Sequence, residues 1–169
     1  MPDPTGLDQL RVAFMSTENA KPGIGRTLAF DMVTLEECRV VFEGRPGREV
    51  YNPIGTVHGG YAATLLDSAL GCAVHSALGP GQGYTTLELK VCYHRAMTEA
   101  TGPVQAEGVV LKLGRKAAFA EGRLTDAQGR VYATATTTCL IFAITSPPAR
   151  AGEDRAPSPP GETVEAPAR

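Results

Sequence analysis

The stretch Asn52-Pro53-Ile54-Gly55-Thr56-Val57-His58-Gly59-Gly60-Tyr61-Ala62-Ala63-Thr64-Leu65-Leu66-Asp67 decides the fold. It reads as a turn that delivers two adjacent glycines to the start of a helix, with a carboxylate two turns further along. A helix N-terminus offers unpaired backbone N–H groups and a partial positive charge. Those groups can hold a carbonyl oxygen while it gains negative charge. Asp67 would then supply the base or the nucleophile.

Working outward, the spacing predicts one long helix over His58 to Leu78, about 30 Å long, stopped by Pro80, Gly81 and Gly83. Ala62, Leu65, Ala69 and Cys72 fall on one side, with Leu66, Leu70, Ala73 and Ala77 beside them. A helix apolar around most of its circumference is buried rather than laid on a surface. Upstream, Thr5 to Glu18 reads as a helix with Thr5 as N-cap, ended by Lys21-Pro22-Gly23. Arg26 to Glu43 reads as two strands joined tightly near Glu36-Glu37-Cys38, and Glu49-Val50-Tyr51 as a short strand. Downstream, Tyr84 to Arg95 alternates, with Leu87, Leu89, Val91 and Tyr93 on one face and Thr86, Glu88, Lys90 and Cys92 on the other. Val104–Leu113, Arg115–Thr125 and Val131–Phe142 follow, joined at Gly114 and at Asp126-Ala127-Gln128-Gly129. Short joints between consecutive strands imply an antiparallel meander. The fold class is α+β, a long central helix wrapped by a curved antiparallel sheet of five to six strands. A single sheet covers only part of such a helix, so its free face, or the sheet edge, is expected to meet a second copy.

Composition narrows the function. The chain has 169 residues, 43% of them hydrophobic, enough for one domain with a real core. A net charge of −2 gives no reason to expect nucleic acid as a partner. No run of about 18 apolar residues suggests a membrane span. Met1-Pro2-Asp3 does not read as a secretory leader. Cys38, Cys72, Cys92 and Cys139 lie far apart with no CxxC pair, which argues against a zinc site and fits free thiols in a reducing cytoplasm. Beyond Ser146 the chain turns Pro-rich, with Val164 as its one branched aliphatic residue after Thr145. Residues 146–169 are expected to be a disordered tail. The domain plan is therefore residues 1–24 as an N-terminal helix and linker, 25–145 as the folded domain, and 146–169 as the tail.

Asn52, Gly55, His58-Gly59-Gly60, Leu65, Asp67 and the later Leu111-Lys112-Leu113-Gly114-Arg115 together resemble the hotdog-fold acyl-CoA thioesterases, especially the phenylacetic-acid-degradation-related group. The resemblance covers residues 25–143. It implies a helix inside a sheet, dimers or tetramers with active sites at the dimer interface, and hydrolysis of a CoA thioester to free acid and coenzyme A. No metal or other cofactor is implied, since CoA is part of the substrate.

Asp67 is the first catalytic candidate, as general base or as nucleophile; its bland alternative is a polar strip shared with Thr64, Ser68 and His75. Gly59 is the expected oxyanion donor through its N–H. Asn52 matches a family position that orients water or the carbonyl, although Asn before Pro is also ordinary turn chemistry. His58 would orient Asn52 or satisfy the helix cap. The resemblance assigns Thr86 to the site from a neighbouring subunit, where its hydroxyl would meet Asp67 or the lytic water; Thr is also simply a good strand residue. It places Arg95, Lys112, Gly114, Arg115 and Lys116 against the phosphates and pantetheine arm, for which the planar fork of Arg is suited. The other readings are a non-catalytic acyl-CoA binder and, ranked last, an acyl-thioester dehydratase. His75 and His94 receive no role. The absence of a G-x-S-x-G elbow disfavours a serine hydrolase.

Overall fold

The computed structural model describes residues 3–15 and 23–144. The expected tail over 146–169, and any helix beyond Met15, lie outside the described residues. Helix α1 spans Gly6–Met15. Thr5 caps it as expected: its Oγ1 accepts from the Asp8 N–H at 3.2 Å, while Asp8 accepts in return from the Thr5 N–H. The short α2, Ile24–Thr27, stands where a strand was expected to begin, and β1 starts only at Phe30. The break is made at Ala29, whose φ of 52° no strand accommodates.

Strands β1 (Phe30–Glu36) and β2 (Arg39–Gly44) form a hairpin, turned at Cys38 with φ 65°. Arg48–Val50 is one 3-10 turn rather than the expected strand, and only Tyr51 keeps a bridge, to Val57. Side chains hold this segment instead of a ladder. Glu49 takes the Gly47 N–H, the Tyr51 hydroxyl takes the Glu99 N–H, and Arg48 grips Glu99.

Helix α3 runs Gly59–Ser76, and strands β3 (Gln82–Tyr93), β4 (Val104–Leu113), β5 (Ala117–Asp126) and β6 (Val131–Ala143) follow. All neighbours are antiparallel, in the order β1-β2-β4-β5-β6-β3. The α+β architecture is thus the expected one, with six strands, and α3 touches every one of them. Leu65, Leu66, Ala69, Leu70, Ala73 and Val74 are fully buried against the sheet. The approach is close enough to forbid side chains beneath it. A Cβ on Gly108 of β4 would stand 2.5 Å from the Ala69 carbonyl; one on Gly122 of β5 would first meet β4, 2.6 Å from the Glu107 carbonyl oxygen, with the helix's Leu70 at 3.3 Å.

One expected face assignment is overturned. Pairing runs regularly from Gln82↔Ala143 to Thr86↔Cys139, then resumes at Glu88↔Thr138, so Leu87 is an extra, unpaired residue. This β-bulge shifts the side-chain phase by one. Tyr84 and Thr86 face inward on one side of it, Leu89 and Val91 on the other, while Leu87 is 61% exposed.

The β5–β6 turn is tied by a buried carboxylate. Asp126 accepts from the Gln128 and Arg130 N–H groups, the Arg130 guanidinium and the Tyr132 hydroxyl, and Gly129 closes the turn at φ 75°. Burial opposes its ionisation, but these donors prevail and bring its pKa down to about 2.

Gly108→Ala should cost about 1–3 kcal/mol, the usual range for overpacking, read as a lower urea midpoint at unchanged slope. For Asp126 the folded pKa lies below its ordinary value of 3.8. Its contribution is therefore complete above that value and fades as pH falls toward about 2. The stability gap between wild type and Asp126→Asn should narrow when urea midpoints at pH 5 are compared with those at pH 2.5. A gap that does not change would mean the ionised carboxylate contributes nothing.

Candidate active site

The segment ahead of α3 is a self-contained turn. Asn52 Oδ1 accepts from the Ile54 and Thr56 N–H groups at 3.1 and 3.2 Å, and its Nδ2 donates to Thr56 Oγ1 at 3.0 Å. The Asn52 carboxamide is therefore engaged in its own turn, and one Nδ2 hydrogen remains for anything else. The Val57 N–H donates to the Met97 carbonyl and the His58 N–H to the Val50 carbonyl, which fixes the direction of entry into the helix.

His58 is the N-cap of α3. Its Nδ1 accepts from the Gly60 N–H at 2.8 Å, which places the proton of the neutral ring on Nε2. One of the free donors at the helix tip is thereby satisfied. The Gly59 N–H has no acceptor among the described residues. The Gly59 carbonyl accepts from the Tyr93 hydroxyl at 3.0 Å, and the Tyr93 ring lies where a Gly59 Cβ would come within 3.0 Å of it. Beside this tip is a cleft of about 350 Å³ lined by Val57, Gly59, Ala62, Tyr93, Arg95 and Met97. The exposed Arg95 makes no ion pair among the described residues.

Asp67 lies two turns on, partly buried, on the side of α3 that meets β3. Thr86 Oγ1 donates to Asp67 Oδ1 at 3.2 Å within the same chain. The two residues the resemblance placed on different subunits thus meet inside one. The bulge at Leu87 makes this contact possible by turning Thr86 inward. Around them, burial and then Asp67 push the Cys72 thiol up to about 12, so it stays protonated and is no nucleophile at neutral pH. Burial also raises Tyr84, whose hydroxyl rests against Gly71.

Gly59 and Asp67 stand eight residues apart on one helix, a rise of about 12 Å. They cannot both reach one carbonyl carbon from a single chain. The basic residues divide in the same way. Arg95 accompanies the helix tip, where Tyr93 pairs with Ala133. Lys112, Gly114, Arg115 and Lys116 surround the β4–β5 turn, next to the Ala118–Cys139–Thr86 row of the sheet. One chain therefore presents two clusters: Asn52, His58, Gly59 and Arg95 at one end, Asp67 and Thr86 with the Gly114 turn at the other. His75 and His94 are engaged elsewhere: His75 is 3.2 Å from Gln9 of α1 and His94 is 2.8 Å from Thr134. Tyr93 and Met97 carry no signal of a role in the sequence, Tyr93 because alternation makes it an ordinary strand residue. No group of His, Cys, Asp and Glu among the described residues is arranged to hold a metal ion.

Comparison with known proteins bears on the fold. The thioesterase superfamily matches residues 54–133. A stretch of 104 residues, 62% of this chain, is 25% identical to 83% of the 1,4-dihydroxy-2-naphthoyl-CoA hydrolase of Listeria monocytogenes. A Halobacterium salinarum protein with a provisional esterase name is 42% identical over 69 residues, 40% of this chain and only 44% of that relative. Among solved structures, a Streptococcus mutans protein bound to acetyl-CoA has a TM-score of 0.62 and 26% identity, covering 68% of this chain and 89% of that one. The PaaI protein of the E. coli phenylacetic acid degradation operon has a TM-score of 0.69 over 81% of this chain and 96% of its own, and at 16% identity that likeness concerns the fold alone. With its long helix in a six-stranded antiparallel sheet the chain has the hotdog fold, and the thioesterase superfamily is what its residues 54–133 are similar to.

Proposed function

We propose that the protein hydrolyses an acyl-CoA thioester to a free acid and coenzyme A. The observation that carries the reading is the pair of half-sites: a carboxylate oriented by Thr86, and a helix tip whose Gly59 N–H is unclaimed among the described residues. Each is incomplete alone. We infer that two copies associate so that the Gly59 tip of one faces Asp67 of the other, as a dimer or as a tetramer of two such dimers. The thioester oxygen accepts from the Gly59 N–H, which stabilises the charge it develops. Asp67 then takes a proton from water as that water attacks the carbonyl carbon, and the tetrahedral species expels CoA as its thiolate. In the nucleophilic variant Asp67 attacks the carbonyl itself, the C–S bond breaks with CoA leaving as its thiolate, and water cleaves the resulting anhydride to release the acid and restore the carboxylate. In either route the Thr86 hydroxyl orients the carboxylate, and His58 holds the tip rigid by capping Gly60. No metal or further cofactor takes part.

Arg95 from one half-site and Lys112, Arg115 and Lys116 from the other, with the Gly114 turn between them, would receive the phosphates. The acetyl-CoA bound to the S. mutans protein supports a CoA ester as the ligand. None of the described helices is long and apolar enough to cross a membrane, and all four cysteines are unpaired, which suits a cytoplasmic enzyme.

The test is thiol release from benzoyl-, phenylacetyl- and hexanoyl-CoA. Asp67→Ala should lose at least about 10³-fold in kcat while remaining folded, within the range seen when a base or nucleophile is removed. Turnover equal to wild type would remove Asp67 from the chemistry, and stoichiometric ester binding without thiol release would make the protein a binder. Gly59→Pro examines the other half-site. Proline is tolerated at the first helical position and removes the N–H, and His58 with ψ 136° accepts a following proline. Because any Cβ here comes within 3.0 Å of the Tyr93 ring, Gly59→Ala, which adds that Cβ and keeps the N–H, is the control from which the loss is counted. A loss of about 10²–10³ in kcat with unchanged helical circular dichroism is the expected result.

A further inference from the structure

The contact between Thr86 and Asp67 depends on a fault in strand β3, and the structure shows what holds that fault in place. Regular alternation back from the inward-facing Leu89 and Val91 would turn Leu87 toward the helix and Thr86 toward solvent. The extra residue at Leu87 reverses this. Such a bulge exposes a leucine and forgoes ladder hydrogen bonds, so something local must compensate. Thr137 does so. It lies on β6 opposite Leu89, is 3% exposed, and its Oγ1 donates to the Glu88 carbonyl oxygen at 2.6 Å. That carbonyl belongs to the first residue after the bulge. A strand carbonyl is ordinarily met by backbone N–H groups; this one accepts from a buried side-chain hydroxyl.

Cys139 completes the arrangement. It is fully buried and is the cross-strand partner of Thr86, so it fills the core between Thr86 and β5. The Thr86 hydroxyl has one hydrogen to give, and the geometry commits it to Asp67.

From this we infer that Thr137 is a positioning residue for the reaction: its hydroxyl pins the β3 bulge and thereby aims Thr86 at Asp67. It touches neither substrate nor carboxylate. A valine of the same shape would fill its site and take the hydroxyl's hydrogen bond away from the Glu88 carbonyl. The strand would then gain by closing the bulge, burying Leu87 and rotating Thr86 away.

The kinetic part of the test rests on the thioesterase reading; the structural part does not. Four variants are compared with wild type: Thr137→Val, Thr137→Ser, Thr86→Val and the Thr86→Val/Thr137→Val pair. Thr137→Val should lower kcat about 10- to 100-fold, the worth of one hydrogen bond to a charged group, and leave KM within about twofold. Thr137→Ser should keep wild-type kcat. The pair should be no slower than Thr86→Val alone, because the two changes remove the same interaction. A Thr137→Val enzyme at wild-type kcat, or losses that multiply in the pair, would overturn the proposal. Crystal structures of wild type and Thr137→Val supply the second readout. The expected change is loss of the Thr86–Asp67 contact with Leu87 turned inward; a retained bulge with Thr86 still on Asp67 would overturn the proposal even if the protein hydrolysed no CoA ester. If Thr137→Val does not fold, Thr137→Ala takes its place in both measurements: a slowed enzyme with the bulge closed supports the role of Thr137, and wild-type kcat or an intact bulge overturns it.

Discussion

The closeness with which α3 lies on the middle of the sheet governs the rest of the molecule. Ala69 sits over Gly108 with no room for a methyl group between the two backbones, and Gly122 keeps the adjacent strand equally bare. The helix can then be surrounded by six strands although only a fraction of its residues are large. Leu65, Leu66 and Leu70 fill the space on either side of the contact and are wholly shielded from water. Since the helix cannot roll without driving a carbonyl into a neighbouring chain segment, the direction of every side chain on it is settled. Asp67 lies at the margin of the covered side, within reach of β3, while the rest of that side is committed to leucine and alanine.

A rigid helix is necessary but gives the carboxylate no hydrogen-bonding partner. That partner comes from β3, where an inserted residue exposes one leucine in order to turn a hydroxyl inward. Strand irregularities next to reactive groups are common because they re-aim a single side chain without disturbing the sheet around it. Here the sheet recovers its pairing at Glu88↔Thr138 and keeps it to Tyr93↔Ala133. The disturbance is therefore confined to two residues. At the other end of the same helix, the tip is held from three directions: by the His58 ring, by the Tyr93 hydroxyl, and by the entry segment through Val50 and Met97.

Much of this is legible in the residues themselves. The long apolar helix, its start at two glycines and the meander that follows are dictated by periodicities of 3.6 and 2 and by turn residues, which act locally. The exceptions arise where distant groups decide. The inward turn of Thr86 depends on Thr137, far along the chain, and alternation alone points to the opposite face. Arg26 to Ala29 has strand-prone neighbours, yet Ala29 adopts a left-handed conformation that the residue type does not advertise. Asn52 carries both a family meaning and an ordinary one, and three hydrogen bonds within its own turn show how fully the ordinary one is met. The basic residues look like one phosphate-binding set in the sequence; the register of β3, β5 and β6 separates Arg95 from Lys112, Arg115 and Lys116.

Helix α1 carries a consequence for how the catalytic unit is bounded. Its Gly6 N–H donates to the Leu78 carbonyl just beyond the end of α3, Gln9 meets His75, and Phe14 stands edge-on to Phe42 of β2 with ring centres 5.8 Å apart. The opening residues thus serve as a plug for the far end of the central helix, despite preceding the segment that carries the family signature. A shortened version trimmed to that signature would lose the buried Leu10 and leave the His75 imidazole open to water. Engineers grafting this scaffold should keep residues 5–14 with the folded unit, since Leu10 among them is buried, and attach tags or fusions with that plug left intact.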